Sequence, residues 1–167
     1  MTRSELEHLI RASGAIADDV ELIIIGSQSI LAQFPQAPAT LRVSMEADLY
    51  PRNKPELADL VDGSIGEGSY FHQQYGYYAQ GVGPNTAVLP ARREDRLARI
   101  DNENTNGIAG LCLEVHDLAI SKYFAGRPKD REFTRELARQ TMTKLKSSTS
   151  SSVAQGASGV SREIRAW

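Results

Sequence analysis

The stretch IIIGSQSILAQFP, Ile23–Pro35, decides how the rest of the chain is read. The apolar run from Val20 to Ile25, interrupted only by Glu21 and rich in β-branched residues, reads as a buried strand. It runs straight into Gly26-Ser27, and Ile30, Leu31 and Phe34 follow at helical spacing. A strand that turns through glycine and serine into a helix presents backbone N–H groups to an anion such as a phosphate. Ser27 is expected to cap that helix and to add a hydroxyl to the turn. The same pair also serves as an ordinary capped turn, so the neighbouring segments have to separate the two readings.

Upstream, Ser4 and Glu7 have the spacing of a capping box, and Leu6, Leu9 and Ile10 form the apolar stripe of a helix that Gly14 ends or weakens. Downstream, LRVSMEADLYP alternates, with Leu41, Val43 and Met45 on one face and Arg42, Ser44 and Glu46 on the other, as in a half-buried strand. KPELADLVDG predicts a helix with Pro55 in its first turn and Gly63 past its end. The Gly- and Tyr-rich segment after it predicts a short helix and a strand near Tyr77–Val82, and Thr86–Leu89 is a further candidate strand. RLARI and LCLEV read as strands joined through the turn DNENTNG. Asp117 is expected to cap a helix that Gly126 ends, and a last helix is expected from about Lys129 to Leu145.

The chain of 167 residues carries 19 basic and 21 acidic side chains, so no global basic field argues for nucleic acid. Its single cysteine, Cys112, excludes an intrachain disulfide. The first residues lack a signal-peptide core, and no apolar run approaches the roughly 20 residues that span a bilayer. A cytoplasmic protein with no membrane contact is expected. Residues 1–146 are expected to form one α/β domain, a mixed twisted sheet flanked by helices. The Ser-rich segment 147–167 has too few apolar residues to offset its ordering entropy and is expected to be disordered.

Three groups of residues carry candidate chemistry. The first is the Gly26-Ser27 turn. The second is Glu46 and Asp48, two apart on a strand and so on one face. Adjacent like charges are costly without a cation, and magnesium, with its hard oxygen ligands, is the usual partner. The alternative is that both carboxylates simply face water. The third group is the run KYFAGRPKD. It places Lys122, Arg127 and Lys129 near a helix end, where they suit either the helix dipole or a phosphate. Asp130 is read as orienting Lys122 or Arg127, or as a base. Glu114 is a candidate third carboxylate. The aromatics Tyr70, Phe71, Tyr75, Tyr77 and Tyr78 suit base stacking or, more commonly, packing. GSIGEGS, Gly63–Ser69, lacks the ending of a P-loop and reads as a loop.

A Gly-Ser turn, an acidic-x-acidic strand and a later Lys-x4-Arg-x-Lys-Asp run together resemble the polymerase-β-type nucleotidyltransferases. GSQSIL, SMEADLYP, FHQQYGYYAQGV and HDLAISKYFAGRPKDREF resemble an uncharacterised bacterial family related to the AbiEii-like toxins, over approximately residues 5–140. The resemblance implies that Gly26 and Ser27 hold nucleotide phosphates and that Glu46 and Asp48 bind the metal. It implies that Lys122, Arg127, Lys129 and Asp130 form the basic motif near the nucleotide. The implied reaction is magnesium-dependent transfer of a nucleotidyl group from a nucleoside triphosphate to an acceptor, RNA or protein. The implied partner, as in the toxin relatives, is a cognate antitoxin. Two departures define the alternative, a catalytically inactive nucleotide-binding or protein-interaction module on the same fold. Glu46 stands where the superfamily usually has Asp, and the resemblance is lost after about Arg139.

Overall fold

The computed structural model describes residues 1–141 of the chain. The fold is α/β, built on a five-stranded mixed sheet in the order β3-β2-β1-β5-β4. The strands are β1 (Glu21–Ile24), β2 (Glu46–Pro51), β3 (Tyr78–Gly81), β4 (Ala98–Ile100) and β5 (Ala109–Cys112). The central strand β1 runs parallel to β5 and antiparallel to β2. The outer pairs are β2 with β3, parallel, and β4 with β5, an antiparallel hairpin through the 101–107 turn. The helices are α1 (Arg3–Ala17), α2 (Ile30–Gln33), α3 (Ala58–Ile65), α4 (Tyr70–Tyr75) and α5 (Val115–Ala125), with α6 from 128 to the last described residue. Residues 142–167, and with them the expectation for segment 147–167, lie outside the described residues. Among the described residues no helix is long and apolar enough to cross a membrane.

The apolar stripe of α1 buries Leu6, Leu9 and Ile10 completely against the sheet. At Gly110 on β5 an added Cβ would strike Ile10 and press on Ile24, so α1 lies close over the centre of the sheet. Helix α3 packs on the same side, beside α1 and over β2 and β3. The register that buries Ala47 and Leu49 completely turns Glu46, Asp48 and Tyr50 to the other face. There Ile23, Tyr50, Arg52 and Leu97 line a small cavity of about 190 Å³, and the residues around Asp48 line a much larger cleft.

Several local readings are corrected by competing hydrogen bonds. The cap of α1 is Thr2, which forms a capping box with Glu5, whereas Glu7 is buried and accepts from Arg3, Asn102 and Asn104. Helix α1 passes through Gly14, where a Cβ would sit 2.6 Å from Ile108. The alternating segment 41–45 is not a strand. Its carbonyls at 42 and 44 accept from the Met1 amine and from Gln28, and Val43 and Met45 are exposed, so the ladder begins only at Glu46. Gly63 lies inside α3, which ends at Gly66, so only the second half of GSIGEGS is a turn. Thr86–Leu89 forms no strand. Glu114, not Asp117, caps α5 by accepting from the His116 amide. Gly126 ends α5 as expected, at φ 66°, in the left-handed region that favours glycine.

Candidate active site

Each part of the site follows from the sheet. Strand β1 ends at Ile24, and the Ile25 amide donates to the Asp48 carbonyl at 3.0 Å, which fastens the following turn to β2. Gly26 then passes so close to Asp48 that a Cβ there would run into Asp48 Oδ2. Ser27 opens a single 3₁₀ turn, Ser27–Ser29, capped by the backbone of Gly26, and Ser29 Oγ ties the turn back to the Ile24 carbonyl at 2.8 Å. This corrects the expectation that Ser27 caps the helix. No side chain caps the turn, so the Ser27 hydroxyl has no capping role.

Gly26, Ser27, Glu46, Asp48, Lys122, Arg127, Lys129 and Asp130 all line one open cleft of about 1170 Å³. That volume exceeds an ordinary small-molecule pocket and admits a ligand the size of a nucleoside triphosphate with space beside it. Val43, Val82, Val88, Phe124 and Phe133 supply apolar walls.

The carboxylates differ in their surroundings. Burial, reinforced by the neighbouring charge of Glu46, pushes the Asp48 carboxyl above its ordinary range, and Lys122, Arg127 and Lys129 offset part of the rise. Glu46 Oε2 accepts from the Tyr78 hydroxyl at 3.1 Å. Asp130 is almost completely buried and accepts from Arg127 Nε at 2.6 Å, with Lys122 Nζ 3.5 Å away. Burial alone would raise the Asp130 carboxyl, but the Arg127 hydrogen bonds and the Lys122 charge hold it below the usual range. Asp130 thus touches both Arg127 and Lys122 at the wall of the cleft. Lys122 is further held over the Phe133 ring at 5.6 Å from its centroid.

Glu46 and Asp48 present hard oxygen ligands to the cleft and could hold a magnesium ion completed by water and substrate oxygens. No group of three or more Asp, Glu, His or Cys side chains that would hold a metal occurs among the described residues. Glu114 does not line the cleft; it accepts from His116 and Gln33 at the head of α5. Asp117 is buried and takes two hydrogen bonds from Arg96, which lies just before β4.

The aromatic run divides. Phe71, Tyr75 and Tyr77 pack with His8 of α1, away from the cleft. Tyr78 reaches Glu46 instead. Gln80, the register partner of Asp48, also lines the cleft. Neither contact was visible in the sequence, because only the parallel β2–β3 register brings Tyr78 and Gln80 opposite the acidic pair.

A mixed sheet whose second strand turns two carboxylates toward a Gly-Ser bend is a nucleotidyltransferase-type architecture. The chain belongs to the family described as "Nucleotidyltransferase of unknown function (DUF6036)", whose model matches residues 4–147. The match extends past Arg139, where the sequence reading ended the resemblance. No curated protein and no solved structure matches the chain.

Proposed function

We propose that this chain is a magnesium-dependent nucleotidyltransferase of the polymerase-β type, transferring a nucleotidyl group from a nucleoside triphosphate to RNA or to a protein. The observation that carries the reading is the convergence of Ser27, Glu46, Asp48 and Lys122 on one open cleft. In this reading an acceptor oxygen bonds to the α-phosphorus as the bond to the bridging oxygen breaks. Pyrophosphate leaves, and the acceptor proton is released to solvent. Glu46 and Asp48 would hold the metal, and magnesium there would supply charge neutralisation at the phosphate oxygens. The Gly26-Ser27 turn lets the triphosphate approach the backbone, and Ser27 donates its hydroxyl to it. Lys122 and Arg127, aligned by Asp130, offset the negative charge that grows on the leaving group. Lys129 extends the cationic rim. A role as the toxin of a pair with a cognate antitoxin rests on the AbiEii-like resemblance alone, and the neighbouring genes test it.

One observation favours a second reading. The acidic cluster in the described residues stops at two carboxylates. A catalytically inactive nucleotide-binding or protein-interaction module would need no more. Incubation of the full chain with labelled nucleoside triphosphates, magnesium, and total RNA or lysate protein separates the readings. Label transfer by the wild type that is lost in Asp48→Ala supports the enzyme. Nucleotide binding without transfer supports the module.

A further inference from the structure

Glu46 carries one more rotatable bond than Asp48, and a ligand side chain with that freedom loses entropy on every binding event unless it is held beforehand. The neighbouring strand holds it. Glu46 and Tyr78 are Cα partners in the parallel β2–β3 ladder, so both side chains leave the sheet on the same face. The Tyr78 hydroxyl donates to Glu46 Oε2 at 3.1 Å. Tyr78 is itself fixed: it is buried, and the His72 ring lies against it at 4.6 Å between centroids. His72 is anchored in turn, its Nδ1 accepting from the Gly68 amide at 3.0 Å. At the main chain, the Glu46 amide donates to Ser44 Oγ at 3.2 Å, which pins the start of the strand. Among the described residues no side chain bonds to Glu46 Oε1.

Resting on the nucleotidyltransferase reading above, we propose that Tyr78 is the positioning residue of the divalent-cation site. Its hydroxyl holds one Glu46 oxygen and leaves the other for a cation shared with Asp48. A phenol suits this task because it is a neutral donor. Lysine or arginine in its place would cancel the charge that attracts the cation, as Arg127 and Lys122 do for Asp130. The arrangement also accommodates glutamate where aspartate is usual: the longer side chain reaches the neighbouring strand and is braced there.

The test uses Mn²⁺ alone as the probe, read by the loss of its free-ion electron paramagnetic resonance signal on titration into the full chain. No turnover is needed. The wild type, Tyr78→Phe, Glu46→Asp, the double variant and Asp48→Asn are compared, with a thermal melt for each. Mn²⁺ binding to the wild type is expected to be lost in Asp48→Asn and weakened roughly tenfold in Tyr78→Phe. Aspartate at position 46 is too short to keep the Tyr78 bond, so adding Tyr78→Phe to Glu46→Asp is expected to cost nothing more. A role in packing alone would give the same added cost in both backgrounds. Asp48-dependent binding that is unchanged in Tyr78→Phe, or additive losses, would overturn the positioning role and leave the two-carboxylate site intact. Absent binding, or binding indifferent to Asp48, would overturn that site and this inference together. Should Tyr78→Phe fail to fold, His72→Ala removes the ring that fixes Tyr78 and leaves both carboxylates intact, and unchanged Asp48-dependent affinity there would overturn the proposal.

Discussion

Gly26 and Asp48 occupy each other's space: the carboxylate of one lies where the other would carry a Cβ. The backbone at Gly26 is extended, with φ −85° and ψ −171°, so the position demands a small residue and not an unusual conformation. Gly26→Ala is therefore expected to act on the site more than on the fold. Overpacking should cost about 1–3 kcal/mol in chemical denaturation. Displacing the Asp48 carboxylate should lower transfer by at least roughly tenfold, since ligand geometry tolerates little error. Unchanged transfer with the same stability loss would separate Gly26 from the chemistry.

Asp48 is held half-buried beside Glu46 at a cost to the fold. In metal-free buffer Asp48→Asn is expected to stabilise the protein by about 0.5–2 kcal/mol, the usual gain when a functional strain is removed. Magnesium with a nucleoside triphosphate should raise the melting temperature of the wild type and leave that of the variant unmoved, because only a ligand bound to the native state shifts it. Differential scanning fluorimetry with and without the ligands reads both effects.

Much of this arrangement was legible from sequence, and the exceptions share one cause. The β1 run, the stripe of α1 and the Glu46-x-Asp48 spacing are local periodicities, and local periodicity survives folding when one face is buried. Residues 41–45 alternate just as well, yet the Met1 amine and the Gln28 side chain take their carbonyls, and both come from distant chain. The Glu114 cap displaced Asp117 for the same reason, since Asp117 is claimed by Arg96 from the other side of a hairpin. Tyr78 could not be assigned to Glu46 without the β2–β3 register, which no local pattern encodes. The candidate residues could be named because their types and order suit that chemistry, whereas their convergence on one cleft required the fold.

Asp130 supplies a pH-dependent term in stability. Its carboxyl is held below the ordinary range in the fold, so the unfolded chain binds its proton first as pH falls. The contribution is complete above about pH 4 and is lost as pH drops through the folded value. Asp130→Asn is expected to cost about 1–3 kcal/mol at pH 7, with Arg127 half-exposed and able to find water. The difference from wild type should shrink as pH falls below about 4, the ordinary carboxylate value, read from urea denaturation at several pH values. A difference independent of pH would mean that the ion pairs contribute nothing.

The N-terminal end of α5 offers a control away from the chemistry. Glu114→Ala removes the cap and should cost about 1 kcal/mol. Asp117→Ala removes the carboxylate that takes both Arg96 hydrogen bonds and should cost about 2 kcal/mol. Neither variant should alter transfer per folded molecule. A large loss of transfer in Glu114→Ala at unchanged stability would restore it as a third carboxylate of the site.

The most direct measurement is a crystal structure of the full chain grown with magnesium and a non-hydrolysable nucleoside triphosphate analogue. The expected result is a triphosphate against Gly26 and Ser27, with a cation bound by Glu46 and Asp48 and with Lys122 beside the phosphates. A nucleotide bound elsewhere, or a triphosphate in the cleft with no cation on either carboxylate, would contradict the account.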